Sequence, residues 1–314
     1  MKSDNNGTFG RARNLSVGIA GVGYVGTALK RYFEGAIGAA SVLADGAAAL
    51  PGSPSTHARE IIPQRTGENP GHAPKRAVYA YDKYKQIGSV AELNKADVIF
   101  LCVPTPYDDK HGFDMSALEE VFGAIKGSKT VVIKSTVVPG TTEHFQKKYP
   151  RLKVLFNPEF LTQLTADADI LYPDRQLVGY TSQSYGVAKD LLQMLPLAPF
   201  ERILPAGEAE MVKYFSNTWF ATKVVFANQI YDLCEELGLD YETVKECAAQ
   251  DKRIGRSHLD IWHGGYRGFA GACLPKDMKS FIRFAAARNV DLKLLKTVVS
   301  INEKLRKIKP KESK

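Results

Sequence analysis

Short apolar runs broken by polar or glycine-bearing segments set the pattern of the first two-thirds of the chain. "LSVGIA" (15–20), "AVYAYD" (77–82), "ADVIFLCVP" (96–104), "TVVIKS" (130–135), "LKVLFN" (152–157), "RQLVGY" (175–180) and "FERILP" (200–205) read as strands. Between them, the stretch after "GVG" at 21–23, "MSALEEVFGAIK" (115–126), "TTEHFQKKY" (141–149) and residues 184–195 carry helical spacing. Strand alternating with helix predicts an α/β fold with a doubly wound, Rossmann-type parallel sheet over 15–206. One interval breaks the pattern. Residues 36–75 are rich in Gly, Ala, Pro and small polar residues and predict a low-complexity insertion without a core.

Beyond residue 206 the periodicity becomes helical throughout. "EAEMVKYFSNTWFATKVVFANQIYDLCEELG" is one long helical pattern ending at Gly238, and Asp240 is placed to cap the next helix. "PKDMKSFIRFAAARN" and "LKLLKTVVSINEKLRKIK" follow a glycine-rich loop. An all-helical second domain over 207–308 is therefore expected, between a disordered 1–14 tail at one end of the chain and a basic 309–314 tail at the other.

Composition narrows the class only slightly. Hydrophobic residues make up 44% and charged residues 24% of 314, enough for two globular cores. No apolar run reaches the ~18 residues of a membrane span, the start is polar, and the four cysteines form no CxxC pair. These features predict a cytoplasmic protein with no membrane, metal or disulfide. The formal charge is +8, of which "NEKLRKIKPKESK" supplies +4, and no aromatic-basic interleaving points to nucleic acid.

Candidate chemistry begins at Gly21-x-Gly23-x-x-Gly26, which follows a strand and opens a helix. Glycines there permit a tight turn and close approach of a pyrophosphate to the helix N-terminus, with Tyr24 and Val25 beside it. The acid for a ribose diol belongs at the end of the second strand. Asp45 has the usual spacing but lies in the insertion, so Asp82 is preferred. An acid favours NAD over NADP; Lys83 and Lys85 work against that preference.

Lys213 and Asn217 lie one helical turn apart, where they could hold an oxyanion together or simply form an exposed polar stripe. Glu159 in "NPEF" follows a strand end and could be a surface turn or a group beside the cofactor, and Thr136 also ends a strand. Cys273, in "GFAGACLPKD", sits between glycines and fixed charges, the setting of a reactive thiolate rather than a packed one. A hydride acceptor with such a thiol can carry an alcohol through aldehyde, thiohemiacetal and thioester to a carboxylate.

"GVGYVG", "CVPTP", "IKSTVVPGTT", "NPEFL", "KYFSNTW", "DKRIG" and "CLPKD" occur in the order found in the UDP-glucose/GDP-mannose dehydrogenase family, which the chain resembles over about 15–308 less the insertion. The resemblance implies NAD-dependent four-electron oxidation of a nucleotide-sugar. It implies Cys273 as nucleophile, Lys213 and Asn217 on oxyanion and sugar, and Glu159 as base for thioester hydrolysis. Asp277 with Thr136 would position water, and Thr105 and Lys276 would contact NAD. Phe160, Leu161, Gln163 and Tyr266 would line the substrate, and Arg253 would reach the substrate of a neighbouring copy in a homodimer joined through the helical domain.

The chain departs from the family pattern in three ways. Gln163 replaces a second acid, leaving Glu159 as the only base. The interval from "RIG" to the cysteine is a few residues longer, with Ala270 at a common glycine. The family's C-terminal nucleotide-binding domain has no counterpart in the sequence. Two other readings stand beside the first: a two-electron dehydrogenase of the 3-hydroxyacid type, which needs no cysteine, and a non-catalytic or partner-dependent NAD-binding subunit.

Overall fold

Unbroken apolar strands are the ones buried on both faces of a sheet, and the computed structural model of the chain places them so. It describes residues 15–37, 75–110, 112–263 and 265–309. The 1–14 tail, Asp45 with nearly all of the 36–75 insertion, and residues 310–314 lie outside the described residues.

Seven strands, β1 (Val17–Ala20), β2 (Val78–Tyr81), β3 (Val98–Leu101), β4 (Thr130–Ile133), β5 (Lys153–Phe156), β6 (Arg175–Tyr180) and β7 (Phe200–Pro205), form one sheet in the order β2-β1-β3-β4-β5-β6-β7. Every residue of β1 and β3 is buried. Helices α1 (Tyr24–Phe33), α2 (Ser116–Ala124), α3 (Thr141–Lys148), α4 (Ala166–Leu171) and α5 (Tyr185–Met194) connect the strands. The core between sheet and helices includes Ile19, Leu29, Phe33, Phe100, Leu155 and Leu191.

The sheet is parallel through β5, and then its direction reverses. β6 pairs antiparallel with β5, Leu155 opposite Tyr180 and Phe156 opposite Gly179, while β7 runs parallel to β6. The link from β5 to β6 holds only the six-residue α4. A strand that starts at the edge where its neighbour ended needs no crossover helix. The expected parallel sheet is thus extended by two reversed strands, and β6 begins at the carboxyl edge.

The described chain divides into two compact units, one running to Thr105 and from Asp114 to Lys213, the other holding Pro106–Phe113 and the residues from Tyr214 on. The long helix α6 (Ala206–Leu237) starts in the first. Its first turn lies so close to β6 that a Cβ on Gly179 would meet Ala206 Cα and Ala209 Cβ at 2.9 Å.

In the second unit the rest of α6 packs with α7 (Tyr241–Ala249), α8 (Leu274–Ala286) and α9 (Lys293–Leu305), and Asp240 caps α7 as expected by accepting from the Glu242 and Thr243 N–H groups. Val224, Phe269, Met278 and Val298 form one core cluster. Two short ribbons, Tyr107–Asp108 with Gly112–Phe113 and Trp262–His263 with Tyr266–Arg267, accompany the helices. Among the described residues no helix is long and apolar enough to cross a membrane.

Candidate active site

Each unit carries part of the constellation expected from sequence. In the first, the glycine loop leaves β1 through Gly21, whose φ of +89° favours glycine and whose Cβ would meet the Cys102 carbonyl at 2.6 Å. A Cβ on Gly26 would lie 1.9 Å from the Gly21 carbonyl, so α1 could not start where it does with any other residue there. Around Gly23, the N-cap of α1, a Cβ would meet nothing within 4 Å. That open, exposed approach to a helix N-terminus, with Tyr24 and Val25 half-buried beside it, fits a dinucleotide pyrophosphate.

Asp82 ends β2 against this loop and accepts from the Val22 N–H at 2.7 Å. It also accepts from the N–H groups of Tyr84 at 3.0 Å and Lys85 at 2.9 Å. Burial pushes its carboxyl up, but these backbone donors, with Val22 foremost, more than offset that and leave it below its ordinary value. Lys85 Nζ closes the turn on the Val22 carbonyl at 2.6 Å. Further along the carboxyl edge, buried Thr105 donates its hydroxyl to the carbonyl of half-buried Thr136 at 2.8 Å, which ties the expected cofactor contact to the threonine expected to position water.

Glu159 and Lys213 meet in the same unit. Lys213 Nζ donates to Glu159 Oε1 and to the Glu159 carbonyl, both at 2.8 Å, and the Leu161 N–H donates to Glu159 Oε2 at 2.8 Å. Burial raises the Glu159 carboxyl, yet the Lys213 ammonium, the Leu161 N–H and the Lys134 ammonium hold it below its ordinary value. Phe160 lies with Arg175 Cζ 3.9 Å and Lys213 Nζ 5.8 Å from its ring centroid. Because β6 runs back beside β5, Arg175 at its start lies near the residues that follow the end of β5, where Phe160 stands. Leu161 is half-buried and Gln163 exposed.

The second unit holds the remaining groups. Asn217 Nδ2 donates to Asp277 Oδ2 at 2.6 Å, and Lys276 Nζ lies 2.6 Å from Asp277 Oδ1 in an ion pair. Lys276 also stands 5.1 Å from the Phe113 ring centroid. Cys273 is the half-buried N-cap of α8, and the Asp277 N–H donates to its carbonyl at 2.9 Å. Asn302 on α9 holds the preceding loop, accepting from the Phe269 N–H at 2.7 Å and donating to the Phe269 carbonyl at 3.0 Å.

Burial decides one alternative. Lys213 and Asn217 are each 6% exposed, Glu159 7% and Asp277 1%, so neither an exposed polar stripe nor a surface turn describes them. Arg253 and Tyr266 are engaged with other partners. Arg253 is exposed and bonded to Asp251, and Tyr266 lies with Arg306 Cζ 3.7 Å from its ring centroid. Arg175 and Lys134 were not among the expected site residues. Lys134 had a signal in "IKSTVV", a lysine closing a buried strand, whereas Arg175 is found only through the strand pairing.

Residues 76–195 match the NAD binding domain of the UDP-glucose/GDP-mannose dehydrogenase family, and residues 207–304 match its central domain, together more than half of the chain. The chain is 35% identical over 237 residues to UDP-glucose 6-dehydrogenase of Pseudomonas aeruginosa, covering 70% of this chain and 51% of that protein. It is 33% identical over 223 residues to UDP-glucose 6-dehydrogenase of Rickettsia conorii, covering 68% and 50%. A solved UDP-glucose dehydrogenase from the hyperthermophilic archaeon Pyrobaculum islandicum aligns with a TM-score of 0.71 at 26% identity, over 96% of this chain and 70% of that one. The chain spans about half the length of the curated relatives it matches.

Proposed function

The chain belongs to the UDP-glucose/GDP-mannose dehydrogenase family, and from that premise we propose that it oxidises the primary alcohol of a UDP-glucose-type nucleotide-sugar to the uronate. Bound NAD supplies the hydride acceptor, twice per turnover. Gly21, Gly23, Gly26, Asp82 and Thr105, with Lys276 from the helical domain, would hold it.

The hydroxyl proton passes to the water held by Asp277 and Thr136, Lys213 and Asn217 stabilise the resulting negative charge on the substrate oxygen, and the first hydride leaves as the carbonyl forms. The thiolate of Cys273, at a helix N-terminus that favours an anion, adds to the aldehyde carbon. Loss of the second hydride leaves that carbon as a thioester on Cys273. Water positioned by Asp277 and Thr136 attacks it, Glu159 takes the proton, and the C–S bond breaks to give carboxylate and thiol. Bonded to Lys213, Glu159 is a weak base; when that ammonium turns to the substrate oxyanion, Glu159 gains basicity for the hydrolysis. The same reading gives a homodimer in which Arg253 reaches the neighbouring copy's substrate.

The observation that carries this reading is the burial of four polar side chains in two hydrogen-bonded pairs, Glu159 with Lys213 and Asn217 with Asp277. Its test is the protein with NAD and a panel of UDP- and GDP-sugars. Two NADH per sugar with a carboxylate product are expected, and Cys273→Ser should abolish the second. A single NADH unaffected by Cys273→Ser would instead support the 3-hydroxyacid type. NAD binding with no turnover until a second polypeptide is added would support a partner-dependent subunit.

A further inference from the structure

The carboxyl ends of β3, β4 and β5, neighbours in the sheet, bring Cys102, Lys134, Asn157 and Glu159 to one stretch of edge. Lys134 is buried there, 7% exposed. Its Nζ donates to Asn157 Oδ1 at 2.7 Å, and Asn157 is fixed in turn by donating to the Leu177 carbonyl at 2.8 Å. That partner is neutral. Among the described residues Lys134 makes no ion pair, and the carboxylate that acts on it, Glu159, is already bonded to Lys213.

Two lysines therefore act on one carboxylate in a place shielded from water, Lys213 by direct contact and Lys134 from the neighbouring strand end without one. Cys102 adds no counter-charge, because loss of solvation pushes its thiol up to about 12. Burial pushes Lys134 below its ordinary value and the Lys213 ammonium pushes it further, while the Glu159 carboxylate pulls it up. These groups face it from the end of β3, from the loop after β5 and from α6. Such an arrangement is costly for folding alone, since a buried cation is best tolerated beside its own counter-ion.

The chemistry proposed above gives the second cation a use. Lys213 has to serve the oxyanion, and Glu159 has to remain a carboxylate to take a proton from water. A buried carboxylate that loses its ion pair takes up a proton. Lys134, on a strand end and held by an amide bonded to the next strand, is already in place when Lys213 turns away.

We propose that Lys134 is a positioning residue for the Glu159–Lys213 pair: its ammonium, anchored on Asn157, keeps Glu159 ionised while Lys213 is engaged with substrate. This inference rests on the function proposed above.

The test is the carboxyl titration of Glu159 in protein labelled with 13C at the glutamate carboxyl carbon, the signal being assigned by its loss in Glu159→Gln. Lys134→Gln should raise the Glu159 midpoint by about one pH unit, whereas Lys134→Arg, which keeps the charge, should leave it within a few tenths of the unsubstituted protein. A folded Lys134→Gln protein with an unmoved midpoint overturns the proposal.

Should Lys134→Gln fail to fold, 15Nζ-lysine spectra of the unsubstituted protein decide instead. The Lys134 signal, assigned by its absence in Lys134→Arg, must step where Glu159 titrates, and a signal with no step overturns the proposal. In a protein that turns over, the acidic limb of kcat should move upward by the same interval in Lys134→Gln. Absence of turnover would sink the proposed function, while the titration would still decide whether Lys134 controls Glu159.

Discussion

Glu210 takes no part in the proposed chemistry, yet its carboxylate is fully buried on α6 and accepts from the Gly140 N–H at 2.6 Å, the Thr142 N–H at 2.8 Å and the Thr142 hydroxyl at 2.6 Å. It caps α3 from outside that helix. Burial raises its carboxyl to about 7 despite these donors, with Glu143 adding to the rise. Because the folded value lies above the unfolded one, the folded state holds the proton to higher pH. This group's contribution to stability is therefore largest in acid and is lost as pH rises from about 4.5 to about 7. Between pH 5 and 8 the loss should be on the order of 2–3 kcal/mol. Glu210→Gln should flatten that part of the denaturation profile, and a variant keeping the full slope would refute the assignment. Asp82 and Glu159 could be picked out in the sequence because strand ends are local features, whereas Asp277 is reached only through the resemblance carried by "CLPKD". Lys134 and Arg175 could not be assigned partners, since theirs come from other strands.

Asn302 joins two elements by bonding both the N–H and the carbonyl of Phe269, four residues before Cys273. Gly268 permits the contact, having a φ of +77° and a Cβ position 2.4 Å from Asn302 Oδ1. Asn302→Ala would leave two buried backbone groups without partners, a loss of about 2 kcal/mol. Amide exchange at Phe269 should speed up by at least tenfold, and unchanged exchange would show that the loop is held by other means. Strand and helix ranges were legible within a few residues because buried parallel strands are continuous apolar runs and the glycine loop marks the first turn. The reversal at β6 was not legible. "RQLVGY" is equally apolar in either direction, and the short link before it carries no sign of the edge from which the strand enters.

In the helical unit, α6 leaves Phe215, Trp219, Phe226, Leu233 and Leu237 at 72%, 52%, 61%, 54% and 60% exposure, along a single helical face. An apolar stripe of that length is what the proposed homodimer would cover. Sedimentation should give a dimer that Phe226→Lys converts to monomer; a monomeric unsubstituted protein would remove the trans role of Arg253. The two-residue match of β5 with β6 has its own outcome for how such a chain can vary. The Arg175 guanidinium stays over the Phe160 ring only while β6 keeps its place beside β5, whereas the excursion between them is held separately, by Ile170 and Leu171 in the core. A slip of one step in the pairing would turn that guanidinium to the opposite side of the sheet.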